Sequence, residues 1–327
     1  MDEATKVVYS YSRRILNFHV STVILHAFRP LMLPLSQSHL THFESCPRRY
    51  QHVFFDALST PSTYEQHTKT QWGSQFHLLM QQKALDLPIQ AVSKADTQMI
   101  ASLDALANAA PGVFNHLPAA RSPSAFSQSE HRRTLAFNDY LLTVVYDLVV
   151  FSRRSDGGQL ADRSGDQSKG HIYDWKTHQT PQKKARLASD WQTRLYQFVL
   201  CETTDLTPDQ ISMTYWFVRL DESERSGMSA STTSIPPQPS SYQFDYDLAQ
   251  HDQTRQDLLS LTDGLTEMRR RENFPKVAVE KGVCEHCPFA LRCDRLPFSA
   301  ATQPQTTQQL LRTASQLTAD SVTEVTL

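Results

Sequence analysis

The run from Tyr140 to Phe151 constrains the fold of this chain more than any other segment. Its sequence, YLLTVVYDLVVF, is nearly continuous apolar and β-branched, which is typical of a strand buried on both faces. Asp147 stands in the middle of this run. An ionised carboxylate in such a place costs several kcal/mol unless it is paired, protonated or bound to a cation. The run therefore predicts a layered core with a functional carboxylate inside it.

A second carboxylate follows in the next apolar segment. Residues 171–177, HIYDWKT, predict a short strand in which Asp174 and Lys176 share one face. Taken alone, this pair is typical of a surface ion pair, which stabilises little. A polar loop over 153–170 connects the two predicted strands, so we expect them to be neighbours and to bring Asp147 close. Carboxylate oxygens beside a lysine suit Mg²⁺ or Mn²⁺, and such ions promote phosphodiester hydrolysis.

The remaining segments predict an α/β or α+β fold with a mixed sheet. We expect a hairpin that turns at Asn138-Asp139, with further strands after it. Ser36 is the predicted N-cap of the first helix. The predicted strands cover 133–138, 140–151, 171–177, 211–220 and 242–244. The first predicted helix carries Leu40 and Phe43, the second begins at Pro47 and buries Tyr50, Val53 and Phe54, and the others cover 72–85, 96–109, 182–201 and 247–272.

Five unevenly spaced cysteines indicate a metal site in a reducing compartment rather than a secreted disulfide scaffold. Cys284, Cys287 and Cys293 form a Cys-x2-Cys-x5-Cys knuckle, which lacks the fourth ligand of a tetrahedral or cubane site. Cys46, at the junction of two predicted helices, is the natural fourth ligand. Cys201 lies among apolar residues and is predicted to belong to the core.

Two inorganic groups suit four such cysteines. A 4Fe–4S cluster is our expectation, because the fourth ligand is remote in sequence. Zinc is the alternative, and His286 could then replace one cysteine.

Charge and hydropathy exclude several classes of protein. The 327 residues carry a formal charge of −2, which excludes a globally basic nucleic-acid coat but allows a local basic groove. The apolar run over 20–28 is shorter than the ~20 residues of a membrane span, so we expect a cytoplasmic protein without a membrane segment.

No phosphate-binding loop of the Gly-x-x-x-x-Gly-Lys-Ser/Thr type occurs, so the chain has no ATP site of its own. We expect an N-terminal extension over 1–33, a domain over 34–297 and a disordered polar tail over 298–327.

Six motifs, taken in order, resemble the PD-(D/E)xK nuclease superfamily. The resemblance is to its RecB-like branch with an iron–sulfur cluster, which includes AddB-type and CRISPR-associated adaptation nucleases. The motifs span nearly all of the organised sequence. They are Cys46-Pro-Arg-Arg-Tyr50, Gly73-x-x-Phe-His77, Asp147, Asp174-Trp-Lys176, Gln192-x-x-x-Tyr196, and Cys284 with Cys287 and Cys293.

The resemblance implies a restriction-endonuclease-like core, with a central mixed sheet flanked by helices and a C-terminal iron–sulfur knuckle. It implies that His77, Asp147 and Asp174 bind the divalent metal and that Lys176 is catalytic. Gln192 and Tyr196 would define the RecB-like motif and brace the site. Glu130 stands where relatives often have an acidic residue, whereas Thr143-Val-Val-Tyr146 lacks the glycine that relatives often carry before the first metal aspartate.

The function that the resemblance implies is metal-dependent hydrolysis of DNA, on single strands or ends in an exonuclease-like mode, during repair or recombination. A separate helicase or another repair protein is an expected partner. The alternatives are a non-catalytic iron–sulfur subunit of a helicase–nuclease complex and a zinc-bound structural protein. We expect basic residues to line the DNA path, namely Arg48, Arg49, Lys183, Lys184 and Arg186. The simpler interpretation of these residues is a solvated surface.

Overall fold

A mixed sheet of six strands forms the centre of the computed structural model, which describes residues 32–59, 64–89, 97–114, 125–152, 168–177, 183–218 and 239–295. The chain divides into two units, residues 1–275 and 276–327, and the sheet belongs to the first. The strands are β1 (Leu33–Leu35), β2 (Ala125–Phe137), β3 (Tyr140–Ser152), β4 (Lys169–Lys176), β5 (Ile211–Phe217) and β6 (Ser240–Asp245).

Eight α-helices accompany these strands among the described residues. They are α1 (Gln37–Ser45), α2 (Pro47–Tyr50), α3 (Tyr64–Ala84), α4 (Thr97–Ala109), α5 (Pro111–Phe114), α6 (Lys184–Ser189), α7 (Trp191–Glu202) and α8 (Leu248–Arg270). Ser36 is the N-cap of α1, and its backbone N–H donates to the His39 imidazole. None of the described helices combines the length and hydropathy of a membrane span.

Helices cover both faces of the sheet, so the fold is the expected mixed α/β arrangement. One core lies between the sheet and α1, α7 and α8, and it contains Phe43, Leu195 and Leu258. The other core contains side chains of α3 and α4, among them Phe76 and Met99. Burying both faces explains why the central strands are almost continuously apolar.

Strand β3 changes its neighbour halfway along its length. On one edge it pairs with β2 from Tyr140 to Ser152. On the other edge, residues 140–142 pair in parallel with β1, and residues 148–152 pair antiparallel with β4. Asp147 directly precedes the part of β3 that pairs with β4. Asp147 therefore stands at a fork in the sheet, which is the place between Leu142 and Leu148 where β3 changes its neighbour from β1 to β4.

The side-chain alternation of β3 reverses at the same point. Tyr140, Leu142, Val144 and Tyr146 belong to the first core, whereas Leu148 and Val150, which have the same parity, belong to the second. An undistorted strand keeps one parity on one face. The pleat is therefore interrupted at Asp147, which frees this side chain from the regular in–out pattern.

Several predicted boundaries differ from those observed. The hairpin turn at Asn138-Asp139 is confirmed, but β2 begins at Ala125 rather than at 133. Because β2 pairs only with β3 among the described strands, its sequence is polar and carries little strand signal. Helix α3 begins at Tyr64 rather than at 72.

The single helix predicted over 182–201 is two helices. Asp190, with extended backbone angles, ends α6 and is the N-cap of α7. Asp is a preferred N-cap residue, although here its side chain makes no hydrogen bond to the first turn of α7. The predicted extension and polar tail lie outside the described residues, apart from residues 32 and 33.

The described part of the second unit is a series of short turns. A 3₁₀ helix, Val279–Lys281, ends at Gly282, whose φ of 68° favours glycine. The Cys287 N–H donates to the Cys284 carbonyl, and the Lys276 ammonium donates to the Cys293 carbonyl. All three cysteines are free thiols within this small unit.

Replacing Gly170 with Ala should destabilise the first unit. A Cβ atom at this position of β4 would lie 2.7 Å from Leu206 Cδ1 and 3.3 Å from Leu200 Cδ2. Overpacking of this kind costs about 1–3 kcal/mol. Gly112→Ala is the matched control, because a Cβ there meets no atom within 4 Å. Urea unfolding should show a lower midpoint for Gly170→Ala only, and equal midpoints for the two variants would contradict this packing.

Candidate active site

The Asp147 carboxylate is held in the fork of the sheet by the backbone of β4. Its Oδ2 atom accepts a hydrogen bond of 2.7 Å from the Trp175 N–H. This side chain is only 12% exposed. Burial, together with the charge of Asp174, raises the pKa of Asp147 above its usual range. The carboxylate therefore takes the place of a strand partner for Trp175.

Helix α3 brings His77 to the same fork. The Nδ1 atom of His77 lies 3.3 Å from Asp147 Oδ1, and its Nε2 atom lies 3.0 Å from the Trp175 carbonyl oxygen. Since a carbonyl only accepts, Nε2 carries the proton, and Nδ1 faces the carboxylate. Burial lowers the pKa of His77, but the hydrogen bond and charge of Asp147 outweigh it and raise the pKa overall.

Gly73 explains how α3 can approach so closely. It lies one turn before His77, and a Cβ atom here would be 2.8 Å from Thr177 Oγ1, just after β4. With a larger residue here, either the Thr177 hydroxyl or the helix would have to move. The glycine therefore helps to place His77 against the fork.

Asp174, Lys176 and Gln192 form a closed triangle between β4 and α7. The Gln192 amide donates to Asp174 Oδ1 at 2.6 Å, and Gln192 Oε1 accepts from Lys176 Nζ at 2.6 Å. The Lys176 ammonium also lies 2.6 Å from Asp174 Oδ2. Strand β4 supplies two members, two residues apart, and α7 supplies the third.

One oxygen of Asp174 lacks a hydrogen bond although the residue is only 4% exposed. Oδ2 has Lys176 as an ionic neighbour, but the ammonium does not approach it with hydrogen-bond geometry. The Lys176 ammonium, 2.6 Å away, nevertheless compensates the charge of this oxygen, and a carboxylate oxygen has a second lone pair that can accept a cation. With the Asp147 oxygens and the His77 nitrogen, it forms a donor set that fits Mg²⁺ or Mn²⁺.

Tyr196 lies one turn after Gln192 on α7 and supports the triangle. Burial and the charges of Asp174 and Asp147 raise the pKa of Tyr196. Its hydroxyl also hydrogen-bonds to Gln192. The phenol therefore stays protonated and adds no negative charge to the site. The Tyr146 hydroxyl donates to the Tyr196 carbonyl at 3.1 Å, which ties α7 to β3.

A cleft of about 630 Å³ opens onto Asp147 and His77. Residues of one face of α3 form one wall, and residues of β2, β3 and α7 complete it. The lining residues are Lys69, Thr70, Gly73, Ser74, His77, Leu78, Gln81, Glu130, Val145, Asp147, Thr177 and Tyr196.

Six of the predicted site residues thus fall into two adjoining groups. His77, Asp147 and Tyr196 line the cleft, and Asp174, Lys176 and Gln192 form the adjoining triangle. The predicted DNA-binding residues Arg48, Arg49, Lys183, Lys184 and Arg186 are not among the lining residues. The sequence interpretation missed Lys69, Ser74 and Gln81, although their spacing from His77 on a helix was a usable signal.

Comparison with known proteins finds one family. A sequence model described as the PD-(D/E)XK nuclease superfamily matches residues 34–294. No curated protein sequence matches the chain. A solved structure described as "Crystal structure of SSO0001" is 12% identical in sequence and aligns with 81% of this chain and 87% of its own. Its TM-score of 0.31 is too low for any structural argument.

Substituting Asn for the two buried aspartates should change the stability of the metal-free protein in opposite directions. A raised pKa means that the fold disfavours the charged form of Asp147, a cost that is present at neutral pH and disappears as pH falls through that pKa. Asp147→Asn removes this cost and should stabilise by about 1 kcal/mol. Asp174→Asn leaves Lys176 without its counter-charge and should destabilise by about 1–3 kcal/mol.

Thermal unfolding in EDTA and in excess Mn²⁺ measures both effects. The melting temperature of the wild type should rise with Mn²⁺, whereas that of each variant should rise much less. Destabilisation of the metal-free protein by Asp147→Asn would contradict this charge balance.

Proposed function

The chain belongs to the PD-(D/E)XK nuclease superfamily, and we propose that it hydrolyses DNA phosphodiester bonds with the help of a divalent cation. The observation that carries this proposal is the position of a buried Asp–Lys pair beside a second carboxylate and an imidazole. The Asp147 and Asp174 strands are adjacent, which brings both carboxylates to one fork. Negative charge concentrated away from water costs folding free energy, so a role in hydrolysis explains this set of residues better than a role in stability.

The residues that would hold the cation are His77, Asp147 and Asp174. When bound, the cation supplies an activated water and neutralises charge on the leaving oxygen. The fork holds Asp147 through the Trp175 N–H, so this carboxylate needs little rearrangement to bind a cation.

Lys176 would stabilise the negative charge that develops on the phosphate. Its ammonium is fixed by Asp174 and Gln192, and it lies 4.6 Å from the centre of the Tyr215 ring. A charge that is already oriented costs no reorganisation during the reaction, which is why such groups act mainly in the transition state. Gln192 orients both partners, and the neutral Tyr196 holds Gln192.

A single DNA strand or a frayed end is the substrate that suits the cleft. Its volume of about 630 Å³ is typical of a pocket for one small ligand rather than for a duplex. Lys69 and Ser74 offer donors to a phosphate backbone, whereas Leu78 and Val145 are apolar and 48% and 37% exposed. An unpaired nucleotide presents both kinds of surface at once. An exonuclease-like role in repair or recombination, with a separate helicase as partner, follows from the resemblance to RecB-like nucleases.

Lys176→Ala should keep DNA binding and lose most of the cleavage rate, on the order of 10²–10³-fold. Lys169→Ala is the matched control, because this lysine is exposed at the start of the same strand and lies outside the cleft. Single-turnover cleavage of an end-labelled single strand in Mn²⁺ gives the rate, and a titration in Ca²⁺ gives the affinity.

Two results would overturn the proposal. If binding collapses while bound DNA is still cut at the wild-type rate, Lys176 is only a phosphate contact. If the wild type cuts no nucleic acid, the non-catalytic subunit is the better account.

We also propose that Cys46, Cys284, Cys287 and Cys293 hold a 4Fe–4S cluster, with zinc as the alternative. Sequence spacing supports this, and all four are free cysteines. Because cluster binding stabilises a fold, Cys46→Ala should lower both iron content and solubility. Cys201→Ala is the control, since its thiol donates to the Leu206 carbonyl within the first unit. Metal analysis after anaerobic purification, with absorbance near ~400 nm, reports the outcome. Full iron retention by Cys46→Ala would exclude this ligand.

A further inference from the structure

Glu130 has an unusual backbone for a residue inside a strand. On β2 it lies between Ser129, which pairs with Leu148, and His131, which pairs with Tyr146, so it stands opposite Asp147. Its φ is 50°, in the left-handed region that a non-glycine residue rarely adopts. Such angles are costly and persist only where the surroundings enforce them. The two strands are thus distorted on both sides of the fork.

The distortion brings the Glu130 carboxylate to His77 and Asp147. One ligand atom of each of these three residues lies within 4.8 Å of the other two. In an octahedral site with bonds of about 2.1 Å, two ligands on opposite sides are about 4.2 Å apart. Neighbouring ligands of the same site are only about 3.0 Å apart, so the three side chains must draw closer together to share one cation.

Asp174 is not a member of this close group. Its carboxylate bonds to Lys176 and Gln192 instead. Burial raises the pKa of Asp147 and lowers that of His77, and the negative charge of Asp174 raises both pKa values. The fork thus concentrates more carboxylate charge than the lysine of the triangle balances.

We infer that Glu130 is a ligand of the divalent cation, together with His77 and Asp147. This inference rests on the proposed function for the cation itself, and it adds a residue from β2 that belongs to none of the sequence motifs. The left-handed backbone at Glu130 is then the conformation that keeps its carboxylate beside Asp147. Like Asp147, Glu130 already stands near His77 in the absence of a cation.

Two variants separate the side chain from the backbone. Glu130→Gln removes the charge and keeps the shape, whereas Glu130→Gly removes the side chain and suits the left-handed angle. Both should weaken Mn²⁺ binding on the order of 10–100-fold. Glu130→Gly should also melt at a higher temperature than the wild type in EDTA, because glycine relieves the strain.

Glu272 is the matched control, since it is an exposed glutamate with a φ of 51° and lies outside the cleft. Glu272→Gln and Glu272→Gly should leave Mn²⁺ affinity unchanged. Calorimetric titration of the full chain with Mn²⁺ alone, without DNA, measures the affinity, so the result does not depend on cleavage.

Wild-type Mn²⁺ affinity in Glu130→Gln and Glu130→Gly would overturn the inference and leave the proposed nuclease intact, provided that the wild type cuts DNA. Failure of the wild type to bind Mn²⁺ would instead count against the proposed function itself. Loss of affinity in the Glu272 variants would show a general effect of the substitutions and would also overturn the assignment.

Discussion

The hydrogen bond from the Trp175 N–H to Asp147 Oδ2 is the interaction on which the site depends. Strands β3 and β4 pair only as far as Leu148 and Tyr173, and beyond that point a side chain bonds to the backbone of β4 in place of a strand. A buried N–H must find an acceptor, and here the acceptor is a carboxylate. The same bond that closes the end of the ladder therefore fixes a charged group within a sheet that is otherwise apolar.

Charge balance divides the site into two parts. In the first part, Asp174 and Lys176 form an ion pair, and Gln192 bonds to both. In the second part, Asp147 and Glu130 stand near an imidazole, which compensates one negative charge only when it is protonated. A divalent cation would balance the charge of the second part, and Asp174 would reach the cation from the first. The two parts would then act on one phosphate, with a cation on one side and an ammonium on the other.

The sequence allowed the central features to be predicted because their causes are local. An aspartate inside an apolar run, two polar residues with strand spacing and a turn at Asn138-Asp139 each need only neighbouring residues for their interpretation. The structure pairs the strands of Asp147 and Asp174, as expected from the loop between them. Glu130 was harder to assign, because β2 pairs only with β3 among the described strands and its polar sequence carries no alternation. The reversal of the pleat at Asp147 lies where β3 changes its partner from β1 to β4, a long-range pairing that no local pattern encodes.

The most direct test of the account is hydrolysis of DNA by the wild-type protein in water enriched in ¹⁸O, with EDTA, Mg²⁺ or Mn²⁺. The account predicts cleavage only when a divalent cation is present, with one ¹⁸O atom in each new terminal phosphate, because water is the nucleophile that displaces the sugar oxygen. Mass spectrometry of the products reads the label. Cleavage in EDTA at the same rate, or products without ¹⁸O, would contradict a cation-dependent hydrolase at the fork of β3 and β4.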